Sequence, residues 1–156
     1  MLATGHNLDD EAAVLFGNTL NWSIDFMARQ APVLPAAPGL ARKVKPLCRF
    51  YEREMAAYAL LRKIEYVYEE CPHAAGSSSI YYKDILNRME NDRPGFKLNF
   101  YLRFLQARSQ GAFTASHPST SALHPCENCG QPTSAPGLCS FCRMITKMGR
   151  PAELRG

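Results

Sequence analysis

The chain has 156 residues, of which 46% are hydrophobic and 21% charged, and a formal net charge of +4. This length allows one ordinary domain with a small appendage. The apolar runs are far too short to cross a bilayer, and no secretory pattern follows Met1, so we expect neither a membrane protein nor a secreted one. The mild basic bias fits RNA binding and fits an ordinary solvated surface equally well.

The first motif of the chain combines a glycine with an acidic helix start. Asn7 is expected to cap a helix over 8–19 whose first turn holds three acids, where the helix dipole favours negative charge. Gly5, beside this helix N-terminus, lets a nucleotide approach the backbone, and a carboxylate such as Asp10 can orient Mg²⁺ or a ribose. The alternative is a well-capped helix without a ligand.

The rest of the body alternates between helix and strand patterns. In chain order we expect a loop over 32–39, a strand over 42–47, a helix over 51–63, a strand over 65–69, a helix over 80–90, a helix over 97–107 and a linker over 109–125. This order predicts an α/β fold. Because so few strands are visible, the sheet is expected to be incomplete and to expose an edge together with apolar helix faces.

Four of the six cysteines form two CxxC pairs near the end of the chain: Cys126, Cys129, Cys139 and Cys142. Two such pairs can present four thiolates tetrahedrally to Zn²⁺, and the segment is too small for a hydrophobic core, so a metal would supply most of its folding energy. An iron–sulfur cluster, a single iron and disulfides are the alternatives. Paired CxxC units without a signal peptide favour a reducing compartment, here the cytoplasm.

Two further cysteines and two histidines lie in the body. Cys71 follows a predicted strand, and ligands of open α/β sheets bind at strand ends, although a buried structural thiol is the alternative. Cys48 is expected to be a core thiol. His6 and His73 have no partner at ligand spacing and are expected to make polar contacts.

Several segments resemble known families. Residues 5–12, Gly-His-Asn-Leu-Asp-Asp-Glu-Ala, are similar to the second nucleotide motif of the PP-loop ATP pyrophosphatases that modify tRNA. Residues 69–74, Glu-Glu-Cys-Pro-His-Ala, resemble a segment of the TtuA-type tRNA 2-thiouridine synthetases. Segments within 45–62 and 82–95, together with the paired CxxC units, extend this resemblance over nearly the whole chain.

This resemblance implies a fold and a reaction. The fold would be an incomplete Rossmann-like PP-loop sheet with helices over 1–108, a linker over 109–125, a small zinc ribbon over 126–145 and a tail over 146–156. The full enzyme would adenylate the C2 oxygen of a uridine in tRNA with ATP and then transfer sulfur to it. The family's phosphate loop, upstream CxxC pair and N-terminal zinc finger are absent, so we expect a C-terminal half that is inactive alone.

The resemblance also implies roles for particular residues. Gly5 and Asp10 would contact the nucleotide, with Asp9 as a neighbour, and Asp10 and Cys71 would be catalytic and face one cleft. Cys71 would be the third ligand of a 4Fe–4S cluster, and the four tail cysteines would bind Zn²⁺. ATP with Mg²⁺ completes the cofactors. The expected partners are tRNA, a sulfur-carrier protein, the missing N-terminal half and, in a homodimer, a second copy of the chain.

Two other interpretations stay open. One is a related PP-loop enzyme that modifies wobble uridine or cytidine, or makes lysidine, although a lysidine enzyme needs neither Cys71 nor the zinc module. The other is a non-catalytic zinc-ribbon protein that holds tRNA or a protein partner. Four basic residues would contact tRNA phosphates or form a solvated face: Lys43, Lys45, Arg49 and Arg53.

Overall fold

The computed structural model describes residues 1–37, 39–67, 69, 76–113 and 123–149. The chain divides into two compact units. The first unit draws on residues 1–37 and 41–116, and the second on residues 38–40 and 117–156. Within the described residues, every helix is too short or too polar to serve as a bilayer-spanning segment.

The described part of the first unit alternates helices with very short strands: β1 (Leu2–Ala3), α1 (Leu8–Leu20), α2 (Ile24–Arg29), β2 (Val33–Leu34), β3 (Lys43–Val44), α3 (Glu52–Leu61), α4 (Ser78–Asp92) and α5 (Phe96–Ser109). The described part of the second unit has a two-stranded antiparallel ladder and one helix: β4 (His124–Pro125), β5 (Pro132–Thr133) and α6 (Ser140–Lys147).

The strands of the first unit form one mixed sheet in the order β1-β3-β2. β1 pairs parallel to β3 with Leu2 opposite Lys43, whereas β2 pairs antiparallel to β3 with Val33 opposite Val44. A parallel pair needs a long crossover, and α1 and α2 supply it. Leu2 on the outer strand is 54% exposed. The expected α/β class and the expected exposed sheet edge are therefore both confirmed.

Helices α1, α4 and α5 pack around the core of this unit. The main cluster joins buried side chains from α1, α2, α5 and one connecting segment: Leu8, Leu15, Met27, Cys48, Tyr101 and Phe104. α1 and α4 approach closely at Gly17, where a Cβ would lie 2.8 Å from Cε2 of Tyr82. The prediction that Cys48 is a core thiol is confirmed, because its side chain is buried in this cluster.

Four predicted helices are confirmed with small shifts at their ends, but two predictions between them are wrong. The segment 32–39, expected to be a loop, contains strand β2. The strand expected over 65–69 does not form in its described residues, 65–67 and 69. A strand needs a neighbour for its backbone hydrogen bonds, and Tyr66 and Val67 instead lie exposed to solvent.

One carboxylate at the end of α4 fixes the start of α5. Glu90 is 4% exposed, and its carboxylate accepts hydrogen bonds from the backbone N–H groups of Gly95 (2.6 Å) and Lys97 (2.8 Å) and from the Tyr51 hydroxyl (3.0 Å). α5 has no acid in its own first turn, so Glu90 supplies the negative charge that the dipole favours there. Burial alone would raise the pKa of Glu90, but the N–H groups of Lys97 and Gly95 lower it below its usual 4.5.

We predict that Glu90→Gln destabilises the first unit by about 1–3 kcal/mol at neutral pH, because an NH₂ group then faces hydrogen-bond donors. A carboxylate with a lowered folded pKa contributes stability above its unfolded pKa and loses it as the pH falls through the folded value. The wild-type chain should therefore lose more stability than the variant below about pH 4.5. Urea unfolding at several pH values measures both effects. Asp92→Asn, at an exposed position of α4, is the control and should change stability by less than about 0.5 kcal/mol.

Candidate functional site

The N-terminus of α1 is closed by a reciprocal pair of hydrogen bonds. The Asn7 side-chain oxygen accepts from the Asp10 N–H, and the Asp10 carboxylate accepts from the Asn7 N–H, both at 3.0 Å. This confirms the predicted cap. Gly5 precedes the cap in open space, since a Cβ placed there would meet nothing within 4 Å. The backbone at Gly5 can therefore be approached by a ligand.

Three consecutive acids follow this cap, and each pairs with a lysine from a different part of the unit. The ion pairs are Asp9 with Lys97, Asp10 with Lys83 at 2.7 Å, and Glu11 with Lys45 at 2.7 Å. Successive residues of a helix point about 100° apart, so the three carboxylates point in three directions. Acids that the sequence groups together thus serve three separate contacts.

Asp9 makes the most buried of these contacts. Asp9 is 4% exposed and Lys97 3%. The Asp9 carboxylate also accepts a 2.7 Å hydrogen bond from the N–H of Glu52, the first residue of α3, and Lys97 donates a second hydrogen bond to Asn87 on α4. Asp9 therefore ties the starts of α1, α3 and α5 together, which makes it an anchor of the structure.

Asp10 makes the contact that solvent can reach. The side chains of Asp10 and Lys83 are 30% and 20% exposed. Lys83 also contacts the carboxylate of Glu52 at 3.3 Å. Partial burial alone would lower the pKa of Lys83, but the bond to Asp10 and the charges of Asp10 and Glu52 raise it. Because Asn7 and Lys83 occupy both Asp10 oxygens, a cation that binds Asp10 must compete with Lys83.

Glu11 lies in the core beside Cys48. Its carboxylate contacts Lys45, the Tyr101 hydroxyl at 3.3 Å and the Gln30 side chain. Burial, and after it the charge of Glu11, raises the pKa of both Cys48 and Tyr101. Lys45 is therefore committed to a partly buried ion pair, and the expectation that it contacts phosphates or forms a solvated face is wrong for this residue.

A cavity of about 400 Å³ opens beside these pairs. Its wall is polar and combines carboxylates, side-chain amides and two cations: Asp9, Glu52, Arg53, Asn87, Glu90, Asn91 and Lys97. Most of the carboxylate oxygens are already bonded within the protein, so the amides and the Arg53 guanidinium are the groups best able to meet a polar ligand there.

Two predicted residues lie outside the described part of the chain. These are Cys71 and His73, so the expectation that Asp10 and Cys71 face one cleft stays a prediction. His6 makes a local polar contact, with Nδ1 3.0 Å from the Thr4 hydroxyl.

The second unit brings its four cysteines together. The Sγ atoms of Cys126, Cys129, Cys139 and Cys142 all lie within 4.8 Å of one another, and those of Cys129 and Cys139 are 3.8 Å apart. Four thiolates about 2.3 Å from one tetrahedral ion stand about 3.8 Å apart. The sulfurs of a 4Fe–4S cluster each bind a different iron atom and stand further apart. The group therefore fits a single metal ion.

Backbone and side-chain donors surround these sulfurs. The N–H of Cys139 donates to Cys126 Sγ at 3.2 Å, and the Asn128 amide donates to Cys142 Sγ at 3.3 Å. N–H groups of Cys129 and Cys139 lower the pKa of Cys126 to about 6. Asn128 lowers the pKa of Cys142, but burial and the neighbouring thiols outweigh it and raise that pKa to about 12. A metal ion must displace the remaining protons, so binding is favoured by higher pH.

Sequence reasoning missed the lysines and the carboxylate that organise the first site. Lys83, Lys97 and Glu90 belong to elements far from the first motif in the chain. One signal was present: Lys97 stands in the first turn of α5, where the helix dipole disfavours a cation. A basic residue in that position indicates a nearby acid, and Asp9 and Glu90 are the acids that compensate it.

A solved structure shares the fold of this chain. A solved structure of the U34-tRNA thiolase NcsA from Methanococcus maripaludis with its 4Fe–4S cluster matches 100% of this chain and 48% of that chain, with a TM-score of 0.65 and 22% identity. The chain therefore shares the mixed α/β fold of that solved structure and carries a four-cysteine group that can hold a metal ion. This confirms the fold class expected from the sequence.

Sequence comparisons make the assignment more particular. No protein-family model matches the chain. The tRNA-5-methyluridine(54) 2-sulfurtransferase of Thermus thermophilus is 50% identical over 155 residues, which are 99% of this chain and 47% of that protein. The enzyme of the same name from Thermotoga maritima is 42% identical over 145 residues, 92% of this chain and 46% of that protein. The chain is thus a homologue of tRNA 2-sulfurtransferases, as the resemblance implied, and it spans about half the length of the curated relatives it matches.

We predict that the four-cysteine group binds one Co²⁺ per chain with tetrahedral thiolate spectra. Co²⁺ serves as an optical probe here because its absorption reports the number of sulfur ligands and their geometry. Cys126→Ser and Cys142→Ser should weaken binding at least tenfold, since each removes one thiolate, and Cys48→Ala should leave it unchanged. An optical titration measures this. Octahedral spectra, or equal binding by all variants, would contradict the site.

Proposed function

We propose that the chain works in tRNA 2-thiolation, in an enzyme that adenylates the C2 oxygen of a uridine with ATP and then replaces the activated oxygen with sulfur. The supporting observation is the 50% identity to the Thermus thermophilus sulfurtransferase across 99% of the chain. On this proposal the substrate is 5-methyluridine 54 of tRNA. A polypeptide equivalent to the unmatched half of that relative completes the enzyme, and the exposed outer edge of β1 is a surface on which it can continue the sheet.

We assign the nucleotide-binding carboxylate to Asp10, because it is the most exposed of the three acids that pair with lysines. The side chains of Asp9 and Glu11 are 5% and 1% exposed, against 30% for Asp10. At the mouth of α1, Asp10 holds the magnesium or ribose of the nucleotide, and the open backbone of Gly5 admits the phosphates. Lys83 places a positive charge 2.7 Å from this carboxylate.

Cys71 is proposed as the sulfur-site residue from the resemblance of segment 69–74. Its thiolate would be one ligand of a 4Fe–4S cluster whose other cysteines belong to the completing polypeptide. When bound, such a cluster supplies an iron with an open position for a sulfur atom that a carrier protein delivers. The paired CxxC units favour a reducing compartment, so we place this chemistry in the cytoplasm.

For the four-cysteine group we propose Zn²⁺. A closed set of four thiolates leaves no open position for a substrate, and this is typical of structural zinc. The buried cluster in the described part of the second unit consists of Cys126, Cys139 and Cys142, with Leu138 packed against it. The metal therefore contributes most of the folding free energy of this unit.

We expect the purified chain to contain about one zinc per chain and no iron–sulfur absorbance. Metal analysis by mass spectrometry and a visible spectrum measure both. A strong chelator should unfold the second unit and leave the circular dichroism of α1, α4 and α5 in place, because those helices pack around an apolar core. Stoichiometric iron on the tail cysteines would contradict the assignment.

We expect Asp10→Asn to lower thiolation at least about 100-fold, in the range for loss of a group that acts at the reacting centre. The assay uses a chimera in which this chain replaces the matching part of the Thermus thermophilus relative. Nucleoside mass spectrometry measures the 2-thio product. Asp84→Asn, the same change at an exposed position of α4, is the control and should stay within about threefold.

The same assay separates the alternatives. Turnover by the chain alone would contradict the need for a completing polypeptide. Full activity of the Asp10→Asn chimera would contradict the role of Asp10. A chimera that binds tRNA without thiolating it would favour the non-catalytic binding protein.

A further inference from the structure

The polar cavity beside Asp9 contains a side-chain amide whose orientation is fixed. Asn87 lies on α4 and lines the cavity, and its Oδ1 accepts a 2.6 Å hydrogen bond from Lys97 Nζ. An ammonium group only donates hydrogen bonds, so the oxygen of this amide must face Lys97. Lys97 is itself held by the buried Asp9 carboxylate. The NH₂ group of Asn87 is therefore a hydrogen-bond donor with a fixed direction.

Two further groups of the cavity wall complement this donor. Asn91 follows Asn87 by four residues, so both amides lie on the same side of α4, and an amide such as that of Asn91 both donates and accepts hydrogen bonds. The Arg53 guanidinium lies over the Tyr51 ring, with its Cζ 5.0 Å from the ring centroid, and adds a positive charge to the wall. The cavity thus offers a fixed donor, an adaptable amide and a cation.

We propose that this cavity binds the uracil base of the RNA substrate, an inference that rests on the proposed function. The pairing edge of uracil presents two carbonyl oxygens on either side of the N3–H donor. Asn87 donates to the C4 oxygen, and Asn91 accepts from N3–H. The C2 oxygen is then left free, as its adenylation requires. Arg53 contacts the phosphate of the same nucleotide.

The fixed orientation of Asn87 distinguishes uracil from cytosine. An amide that can turn by 180° exchanges its donor with its acceptor and so pairs with either base. Lys97 prevents this turn, because the turned amide would point its NH₂ group at the ammonium. Cytosine carries an amino group at C4, which would meet the NH₂ group of Asn87 and leave two donors without an acceptor. Asn87 is thus a specificity-determining residue.

The position and size of the cavity fit the same ligand. Glu52 lines the cavity and contacts Lys83 at 3.3 Å, and Lys83 bonds to Asp10. The base therefore lies beside the carboxylate that we assign to the nucleotide. The cavity volume of about 400 Å³ falls in the range of about 300–1,000 Å³ that small-molecule pockets have. All the lining residues belong to the first unit, so the chain alone carries the site.

The test is the binding of free nucleotides to the full chain, followed by NMR through the side-chain NH₂ signals of Asn87 and Asn91. The probes are uridine and cytidine 5′-monophosphate, which differ only at C4 and N3 of the base. We expect the uridine nucleotide to bind at least about fivefold more tightly, the least that a correctly paired base edge discriminates. Inorganic phosphate should shift neither amide signal, because it carries no base.

Variants of Asn87 test the role of its NH₂ group. Asn87→Asp replaces the fixed donor with an acceptor and should reverse the preference, because a carboxylate accepts from the amino group of cytosine. Asn87→Leu removes the donor and should abolish the preference. Asn99→Asp makes the first change at an exposed position of α5 and should keep the wild-type preference. Circular dichroism must show that each variant keeps its helix content.

Four results would overturn the proposal: equal binding of the two nucleotides, tighter binding of guanosine 5′-monophosphate, no measurable binding, or an Asn87→Asp variant that still prefers uridine. The measurement uses neither ATP nor tRNA and is therefore independent of the thiolation assay. Uridine selectivity in a chain whose chimera fails to thiolate tRNA would refute the proposed function and keep the uracil site. Thiolation by a chimera whose chain does not select uridine would refute the uracil site and keep the proposed function.

Discussion

The structure of the first unit depends on three consecutive carboxylates that never compete for the same lysine. Asp9, Asp10 and Glu11 leave α1 in three directions and meet lysines of α5, α4 and the segment after β3. A buried carboxylate without its partner is costly, because breaking a buried pair removes about 3–5 kcal/mol of stability. The start of α1 therefore fixes the positions of elements that lie up to 88 residues away in the chain.

The three ion pairs differ in how far solvent reaches them, and the proposed role of Asp10 rests on this difference. Asp9 and Glu11 are sealed, so their charges hold helices and core together. Asp10 is bonded on both oxygens yet partly open, which makes it the acid whose contacts a ligand can change without unfolding the unit. Adjacent residues of the motif thus differ in burial and in partner, because each side chain leaves the helix in a different direction.

Local sequence patterns predicted most helices of the first unit and the metal-binding group of the second. Caps, acidic first turns and helical periodicity located α1, α3, α4 and α5, and cysteine spacing located the metal-binding group. Each of these patterns lies within one short segment, so each element can be predicted without knowing which distant residues it contacts. The strand expected over 65–69 failed because β-rich composition cannot supply a neighbouring strand, and the lysine partners were missed because an ion pair between distant segments leaves no local pattern. Lys97 is the exception, since a cation in a first helical turn is itself anomalous.

The way α3 is attached explains how one helix can be both well placed and exposed. Apolar packing fixes a helix by covering one face, whereas α3 is fixed by polar bonds to its first turn, from Asp9 to its backbone and between Tyr51 and Glu90. Such bonds fix the orientation of α3 but do not bury its outer face. The helix therefore holds its outer residues in a defined orientation while leaving them exposed.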